Sequence, residues 1–259
     1  MKTKNSLPIL MYHGIKTDAQ SVPNDREIGA ELYDLPWEQF EAQMTWLMDH
    51  NYQTITIDEL DNCSQQRQVI LTFDDGEMNN FIHALPILKR LKFKAYFFVI
   101  VERIGKPGYM GWNELRQLHE AGMTIGSHGL THRILTDLTD REVERELEDS
   151  LKCLVNHLGD GISTLSIPRG FCDDRVMAIA YKLGYINVFI SERPGHLKSN
   201  CWERIAVKKS WNVQRLQKAL NGIQPVNEKI LDWIKRTIKK LLNGETYNRL
   251  RNMIISISS

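Results

Sequence analysis

Long hydrophobic segments and an excess of charge of either sign are both missing from this 259-residue sequence. Lys and Arg number 33 against 32 Asp and Glu, so a formal net charge of +1 gives no reason to expect a nucleic-acid partner. No stretch reaches the roughly 20 apolar residues that a membrane-spanning helix needs. The apolar run at 7–12 is too short for a signal-peptide core, and no small-residue cleavage site follows it. We therefore expect a cytoplasmic protein.

Cysteine is scarce, and its spacing suggests no pairing. No Cys-x-x-Cys occurs, so the sequence indicates neither a zinc knuckle nor a redox pair. A glycine-rich phosphate-binding turn is also absent, which disfavours an open dinucleotide-binding sheet. No linker rich in Ser, Gly or Pro divides the barrel region, so we expect a single domain there. The cysteines are Cys63, Cys153, Cys172 and Cys201.

Short apolar runs alternate with helical segments along most of the chain. Continuous apolar runs are typical of buried parallel strands, and helices between them supply the crossovers. The sequence predicts an α/β fold over residues 1–225, in which seven to eight strand-then-helix units fit a barrel of parallel strands better than an open sheet. A helical tail is predicted over 226–259, and a long polar loop over 15–35. Candidate strands lie at 7–12, 53–57, 69–73, 95–101, 123–125, 163–167, 186–190 and 204–207.

Two adjacent carboxylates, Asp74 and Asp75, follow the candidate strand at 69–73 and precede Gly76. Such a pair after an apolar run is costly unless it is solvated, ion-paired or bound to a metal. The two side chains leave an extended backbone in different directions. One can therefore bind a metal while the other takes up a proton; a turn without chemical function is the alternative.

Two histidines four residues apart, His128 and His132, follow the candidate strand at 123–125. They can face one centre if the segment turns helically, and this spacing is usual for zinc or a similar divalent ion. Together with Asp75 they would make three protein ligands with one open position, which is the pattern of catalytic zinc. A structural or surface histidine pair is the alternative.

The adjacent aspartates and the two histidines, taken together, resemble the motifs of a known family. Thr72-Phe73-Asp74-Asp75-Gly76, followed about fifty residues later by His128-x-x-x-His132, is similar to the first two motifs of the polysaccharide deacetylases, carbohydrate esterase family 4. The segment 10–13, ending in Tyr12-His13, is similar to the opening strand of many members. The resemblance covers roughly residues 7–208, and it implies a distorted (β/α) barrel of about seven strands.

The resemblance also implies roles for single residues. Asp75, His128 and His132 would bind a divalent metal, most commonly zinc, and Asp74 would be the general base toward the attacking water. The substrate would be the acetamide group of an N-acetylated sugar. Asp74 would stay ionised near a cation and could accept a proton.

The third family motif departs from its usual form, an Arg-x-Pro followed by an aromatic residue. Here Ser166 stands at the arginine position and Arg169 at the aromatic position, on either side of Ile167-Pro168. Pro168 and Arg169 remain the candidates for substrate and oxyanion binding, the latter through its backbone N–H. The Arg169 side chain would bind an acidic group, orient Asp74 or form a surface ion pair. Arg204, at the start of the last candidate strand, is a further residue that could reach the cleft.

The general acid is not evident at its usual place, because no Leu-x-His motif occurs near the C-terminus. In some exopolysaccharide deacetylases that look circularly rearranged, the histidine of the opening Tyr-His takes this role. We therefore predict His13 as the acid, since imidazole changes protonation near neutral pH. His196 in a loop-like context, and His13 as a merely supporting residue, are the alternatives.

The tail carries seven Lys and Arg against three Asp and Glu over 228–259. Its apolar residues fall near one helical face, so the segment 228–252 predicts either peripheral contact with the inner face of an anionic membrane or docking against the barrel.

The leading hypothesis is a metal-dependent hydrolase that removes the acetyl group from an N-acetylated sugar of a surface polysaccharide or its lipid-linked precursor. One alternative is a deformylase or other amidase acting on a small or lipid-linked substrate. Another is a non-catalytic carbohydrate-binding protein with the same fold. The four residues of the first two motifs disfavour pure binding, since a binding protein needs no base beside a metal.

Overall fold

The computed structural model describes residues 7–17, 22–60, 67–191 and 200–225, together with isolated positions between 230 and 253. Within these ranges, strands and helices alternate as predicted. The strands are β1 (Ile9–Tyr12), β2 (Ile15–Lys16), β3 (Leu35–Pro36), β4 (Tyr52–Thr54), β5 (Arg67–Phe73), β6 (Tyr96–Val99), β7 (Thr124–Ser127), β8 (Thr164–Ser166), β9 (Asn187–Ile190), β10 (Cys201–Glu203) and β11 (Ile205–Ala206). The helices are α1 (Trp37–Asp49), α2 (Leu85–Leu91), α3 (Trp112–Glu120), α4 (Asp140–Leu158), α5 (Asp174–Lys182) and α6 (Val213–Leu220).

The main sheet is parallel throughout and runs in the order β10-β9-β8-β7-β6-β5-β1-β11, with β4 paired to β5 beside this path. Eight strands therefore follow one another along the path, one more than the predicted seven. The two end strands, β10 and β11, are separated in the chain by the single residue Arg204. Its backbone N–H donates to Ile190 O at 2.9 Å, and that of Val207 donates to Met11 O at 2.9 Å. The sheet is thus nearly closed into an α/β barrel, with Arg204 at the seam.

The barrel strands are apolar because both of their faces are covered. Every residue of β1, β6 and β9 is buried. Aromatic side chains fill the space between the sheet and α1, with the rings of Phe73 and Phe97 stacked at 4.7 Å and Tyr12 edge-on to Phe40 at 5.4 Å. Such pairs contribute about 0.5–1.5 kcal/mol each beyond the area they bury. This packing fixes the strand ends that carry the polar residues.

Local sequence signals predicted most of these helices and strands, and the structure differs from the prediction in three places. Thr139 caps α4 by accepting from Glu142 N, as the capping box predicts. The predicted loop at 15–35 contains the two-residue strands β2 and β3, which pair with each other. The helix after Gly76 begins with a π-helical turn, Asn80–Ala84, before α2. β10 and α6 were not predicted: β10 has only three residues, and α6 lies beyond the last predicted strand.

The predicted tail touches the barrel at the positions that the structure describes. Gly244 N donates to Asp137 Oδ1 at 3.0 Å, and the Tyr247 ring meets Phe171 edge-on at 5.4 Å. These contacts support the docked alternative for this part of the tail. Ile230 and Met253 remain exposed, at 54% and 61%. Among the described residues, no helix is both long and apolar enough to cross a bilayer.

Candidate active site

Three candidate residues immediately follow the last residue of a barrel strand. His13 follows β1, Asp74 follows β5 and His128 follows β7. Parallel strands bring their carboxyl ends to one edge, so these side chains share a rim of the barrel. The register supports this, since Tyr12 pairs with Phe73 at the ends of β1 and β5.

Asp75, His128 and His132 form a group whose ligand atoms all lie within 4.8 Å of one another. The Nε2 atoms of His128 and His132 lie 3.5 and 3.7 Å from Asp75 Oδ1. This Oδ1 is buried and accepts no hydrogen bond from any residue that the structure describes. A buried carboxylate oxygen without a donor, facing two imidazole nitrogens, fits a divalent cation bound by one oxygen and two nitrogens. The predicted metal ligands are therefore brought together.

Backbone strain, not a helical turn, aims two of these ligands. Residues 128–132 form an irregular loop, so the two histidines converge without the helical turn that their spacing allowed. His132 instead has a φ of 68°, and Asp75 has a φ of 72°. Non-glycine residues rarely adopt this left-handed region, and such strain concentrates at functional sites. Arg169, with a φ of 61°, is a third case at the same rim.

Both histidines are oriented through their Nδ1 atoms. His128 Nδ1 lies 2.8 Å from Ser166 O, and His132 Nδ1 lies 2.6 Å from Glu27 Oε1. Partners at Nδ1 leave Nε2 as the metal-facing nitrogen. Burial lowers the pKa of His128 to about 4, so its imidazole is neutral at physiological pH and its Nε2 lone pair is available.

Asp74 is buried and is clamped by an arginine. Arg204 Nη1 donates to Asp74 Oδ1 at 2.7 Å and Arg204 Nη2 to Oδ2 at 2.8 Å, which is a bidentate pair. Ser166 Oγ accepts from Arg204 Nη2 at 2.8 Å and lies 3.3 Å from Asp74 Oδ2. Burial opposes ionisation of Asp74, but Arg204 and the nearby histidines outweigh it and hold its pKa below the usual range. Asp74 is thus an anion held in one orientation beside the ligand group.

Arg204 supplies the guanidinium that the altered third motif lacks. Ser166 stands where the family pattern has arginine, and Arg204 from the barrel seam donates to Ser166 Oγ at 2.8 Å. The sequence suggested that Arg204 could reach the cleft, but not that it pairs with Asp74. Arg169, the expected alternative partner of Asp74, lies with its Nη1 3.7 Å from Glu27 Oε1. Pro168 is buried and faces Gly129.

His13 is half-buried with its ring 5.1 Å from that of Tyr33. It is close enough to Asp74 to help lower the pKa of that carboxyl group. Its Nδ1 is buried without a hydrogen-bond partner among the described parts of the chain. The alternative acid, His196, lies outside the described residues.

A cavity of about 470 Å³ opens beside the ligand group. His132 and Arg169 line it together with Arg26 and Glu27, which belong to the predicted polar loop, and Asn252 from the tail. A cavity of this volume suits a sugar-sized ligand. Sequence reasoning missed Glu27 and Arg26, because nothing in their local pattern marks them.

Residues 61–188 match the family model described as polysaccharide deacetylase. The chain carries a polysaccharide deacetylase domain. Asp74, Asp75, His128 and His132 lie inside the matched segment of this domain, whereas Glu27 and Arg204 lie outside it.

Named relatives agree with this. YxkH of Bacillus subtilis, named as a candidate polysaccharide deacetylase, is 32% identical over 195 residues, which are 73% of this chain and 65% of the relative. A poly-β-1,6-N-acetyl-D-glucosamine N-deacetylase of Staphylococcus aureus is 25% identical over 171 residues, 59% of each protein. The chain therefore spans less than two thirds of the length of these relatives.

Solved structures share the fold. The Streptococcus pyogenes deacetylase PplD, solved with acetate, superposes with a TM-score of 0.71 at 22% identity, over 85% of this chain and 98% of that one. IcaB from Ammonifex degensii superposes with a TM-score of 0.64 at 23% identity, over 78% of this chain and 91% of that one. The polysaccharide deacetylase domain thus has the barrel architecture of these proteins.

The ligand group makes a first prediction. His128→Ala removes one of three protein ligands, so we expect most of the metal to be lost, because three-ligand sites lose affinity steeply when reduced to two. Elemental analysis of the purified variant, compared with His119→Ala on the exposed side of α3, measures this. Full metal occupancy in His128→Ala would exclude the assignment.

Proposed function

We propose that the protein is a metal-dependent deacetylase that hydrolyses the acetamide bond of an N-acetylated sugar in a surface polysaccharide or its lipid-linked precursor. The observation that carries the proposal is the division between Asp75 and Asp74. Asp75 has a buried oxygen that accepts from no described donor and faces two imidazoles. Asp74 is held by Arg204. This pairing of a metal ligand with a separate ionised carboxylate suits hydrolysis better than binding alone. Zinc is the metal we propose, because two imidazoles and one carboxylate are typical of it.

A divalent cation, when bound, supplies Lewis-acid polarisation of the amide carbonyl and acidifies a water molecule. Asp74 accepts a proton from the attacking water, and Arg204 keeps both carboxylate oxygens fixed while it does so. A carboxylate with a lowered pKa stays ionised at neutral pH, which a base requires before turnover. The backbone N–H of Arg169 is our candidate donor to the developing oxyanion, with Pro168 fixing the turn that presents it.

His13 is our candidate for the general acid. The leaving amine must gain a proton as the C–N bond breaks, and His13 lies on the same rim as Asp74. Contact with Tyr33 restricts the orientation of its ring.

His13→Ala should retain the metal and lose the limb of the pH–rate profile that belongs to the acid, with a decrease in kcat of about 10²–10⁴-fold. The measurement is kcat/KM against pH together with metal content. His83→Ala, a histidine of the turn before α2, is the matched control. An unchanged pH profile in His13→Ala would remove it from this role.

Release of acetate from N-acetylated oligosaccharides tests the function itself. Poly-β-1,6-N-acetylglucosamine is a suitable first polymer, because the Staphylococcus aureus relative is named for it. Parallel assays with lipid-linked and N-formyl sugars separate the proposal from the deformylase alternative. Binding of sugar without release of acetate by the zinc-loaded protein would favour the binding-protein alternative instead.

A further inference from the structure

We propose that Glu27 is a positioning residue of the metal site: its carboxylate accepts the Nδ1 proton of His132 and thereby keeps the Nε2 lone pair of His132 directed at the metal. The inference rests on the metal centre of the proposed function and adds to it a residue from outside the segment 61–188 that matches the deacetylase family.

The contact itself is short and directional. His132 Nδ1 lies 2.6 Å from Glu27 Oε1, while His132 Nε2 lies 3.7 Å from Asp75 Oδ1 on the other side of the ring. An imidazole that gives its only proton to a carboxylate at Nδ1 must present an unprotonated Nε2. Carboxylates in this position commonly orient metal-bound histidines and raise their basicity.

Charge keeps Glu27 an acceptor. Arg103 Nη2 donates to Glu27 Oε1 at 3.0 Å, and Arg169 Nη1 lies 3.7 Å from the same atom. Two guanidinium groups beside one carboxylate favour its ionised form. An ionised Glu27 has no proton to give, so the hydrogen atom between it and His132 belongs to the imidazole.

The loop that carries Glu27 is fixed to the barrel by the residues just before it. Tyr109 Oη donates to Asp25 Oδ1 at 2.9 Å, and Arg26 Nε pairs with Glu77 at 2.7 Å. Gly108 packs so closely against Pro23 that a Cβ there would lie 2.8 Å from the proline ring. These contacts hold Glu27 in place before any metal arrives, which is the condition for orienting a ligand.

The two histidines are therefore held differently. His128 faces the neutral carbonyl of Ser166 through Nδ1, whereas His132 faces an anion. We expect His132 to be the more electron-rich ligand, and its contribution to metal affinity to depend on Glu27.

Two measurements test this with Glu27→Ala, Glu27→Gln and, as control, Glu31→Ala, which changes an exposed carboxylate on the same segment. The first is the imidazole ¹⁵N NMR spectrum of the metal-free protein at alkaline pH, with His132→Gln to assign the signals. We expect the Nδ1–H tautomer of His132 in the parent protein, its replacement by Nε2–H in Glu27→Ala, and its retention in Glu27→Gln, whose amide oxygen still accepts.

The second measurement is the zinc affinity, determined by chelator competition. It should fall about 10–100-fold in Glu27→Ala, less in Glu27→Gln, and not at all in Glu31→Ala.

Arg103→Met tests the support of Glu27 apart from its carboxylate. It removes the guanidinium that donates to Glu27 Oε1 and, at 3.3 Å, to Asp25 O, but it leaves the carboxylate and the other loop contacts in place. We expect it to preserve the Nδ1–H tautomer and to weaken zinc binding less than Glu27→Ala does. An unchanged tautomer and zinc affinity in Glu27→Ala, or an equal loss of affinity in Arg103→Met, would overturn the inference. If the parent protein binds zinc but releases no acetate, the proposed function fails, while the tautomer and the affinity still decide the role of Glu27.

Discussion

Asp74→Asn should lower turnover by about 10²–10⁴-fold while the protein keeps its metal. Asparagine has nearly the same shape and can still accept from Arg204, but it cannot take a proton from water. The ligand group of Asp75, His128 and His132 is untouched. Acetate release and metal content measured on the same preparation check this expectation.

The control must account for stability, because the substitution leaves Arg204 buried without its counter-ion. Loss of one partner of a buried ion pair costs about 3–5 kcal/mol, so kcat is compared at a temperature where both proteins are folded. Ser166→Ala, which removes a neighbouring hydroxyl group and leaves the Asp74 carboxylate intact, is the matched variant and should lose far less activity.

The opposite outcome has a clear meaning. His128 Nε2 lies 3.7 Å from Asp74 Oδ2, hardly farther than from Asp75 Oδ1. Distance alone therefore does not separate the two carboxylates. They differ in their partners, because Arg204 donates to both oxygens of Asp74, whereas Asp75 Oδ1 accepts from no described residue. Loss of metal together with activity in Asp74→Asn would show that Asp74 binds the metal.

Arg204→Ser should lower kcat by about 10²-fold, because misplacing a catalytic group by about an ångström has an effect of this size. It should also destabilise the fold by about 3–5 kcal/mol, since Asp74 is left as an uncompensated buried charge. Arg204 lowers the pKa of Asp74. Its removal raises that pKa, so the acid limb of the pH–rate profile should move to higher pH. Denaturant unfolding, kcat and the pH profile together distinguish positioning from stability.

Two further variants sharpen this test. Arg204→Lys keeps the charge but cannot form the bidentate contact, so it should recover stability more than turnover. The double variant Ser166→Arg with Arg204→Ser returns the guanidinium to the position that the family pattern uses. It should regain part of the activity lost in Arg204→Ser and move the acid limb back. If neither the activity nor the acid limb recovers, Arg204 acts mainly by holding the two ends of the sheet together.

The sequence predicted the residues that follow apolar runs, because strand ends are local features. Asp74, Asp75 and His128 came from that signal, whereas His13 came from the family resemblance; the structure places all four on one rim. Glu27 and Arg204 did not, since their contacts with His132 and Asp74 span 105 and 130 residues. Such contacts depend on the order and register of the strands.

The same limit explains the details that the sequence left open. A spacing of four residues suggested a helical turn for the two histidines, but a left-handed His132 achieves the convergence instead. The replacement of the motif arginine by Ser166 left open which residue would orient Asp74. Only the nearly closed sheet shows that Arg204, between β10 and β11, pairs with Asp74.

The position of Arg204 ties the chemistry to a pairing between distant parts of the chain. Contacts between distant parts of a chain form late, because the entropy of closing a long loop must be overcome first. Arg204 holds the Asp74 carboxylate with its side chain and pairs with Ile190 O through its backbone N–H. Because both contacts involve one residue, neither is complete without the other. Partial opening between β9, β10 and β1 would release Asp74 while the remaining strands stay paired. Catalytic activity should then decline at lower denaturant concentrations than helix content does, which makes turnover a reporter of that local opening.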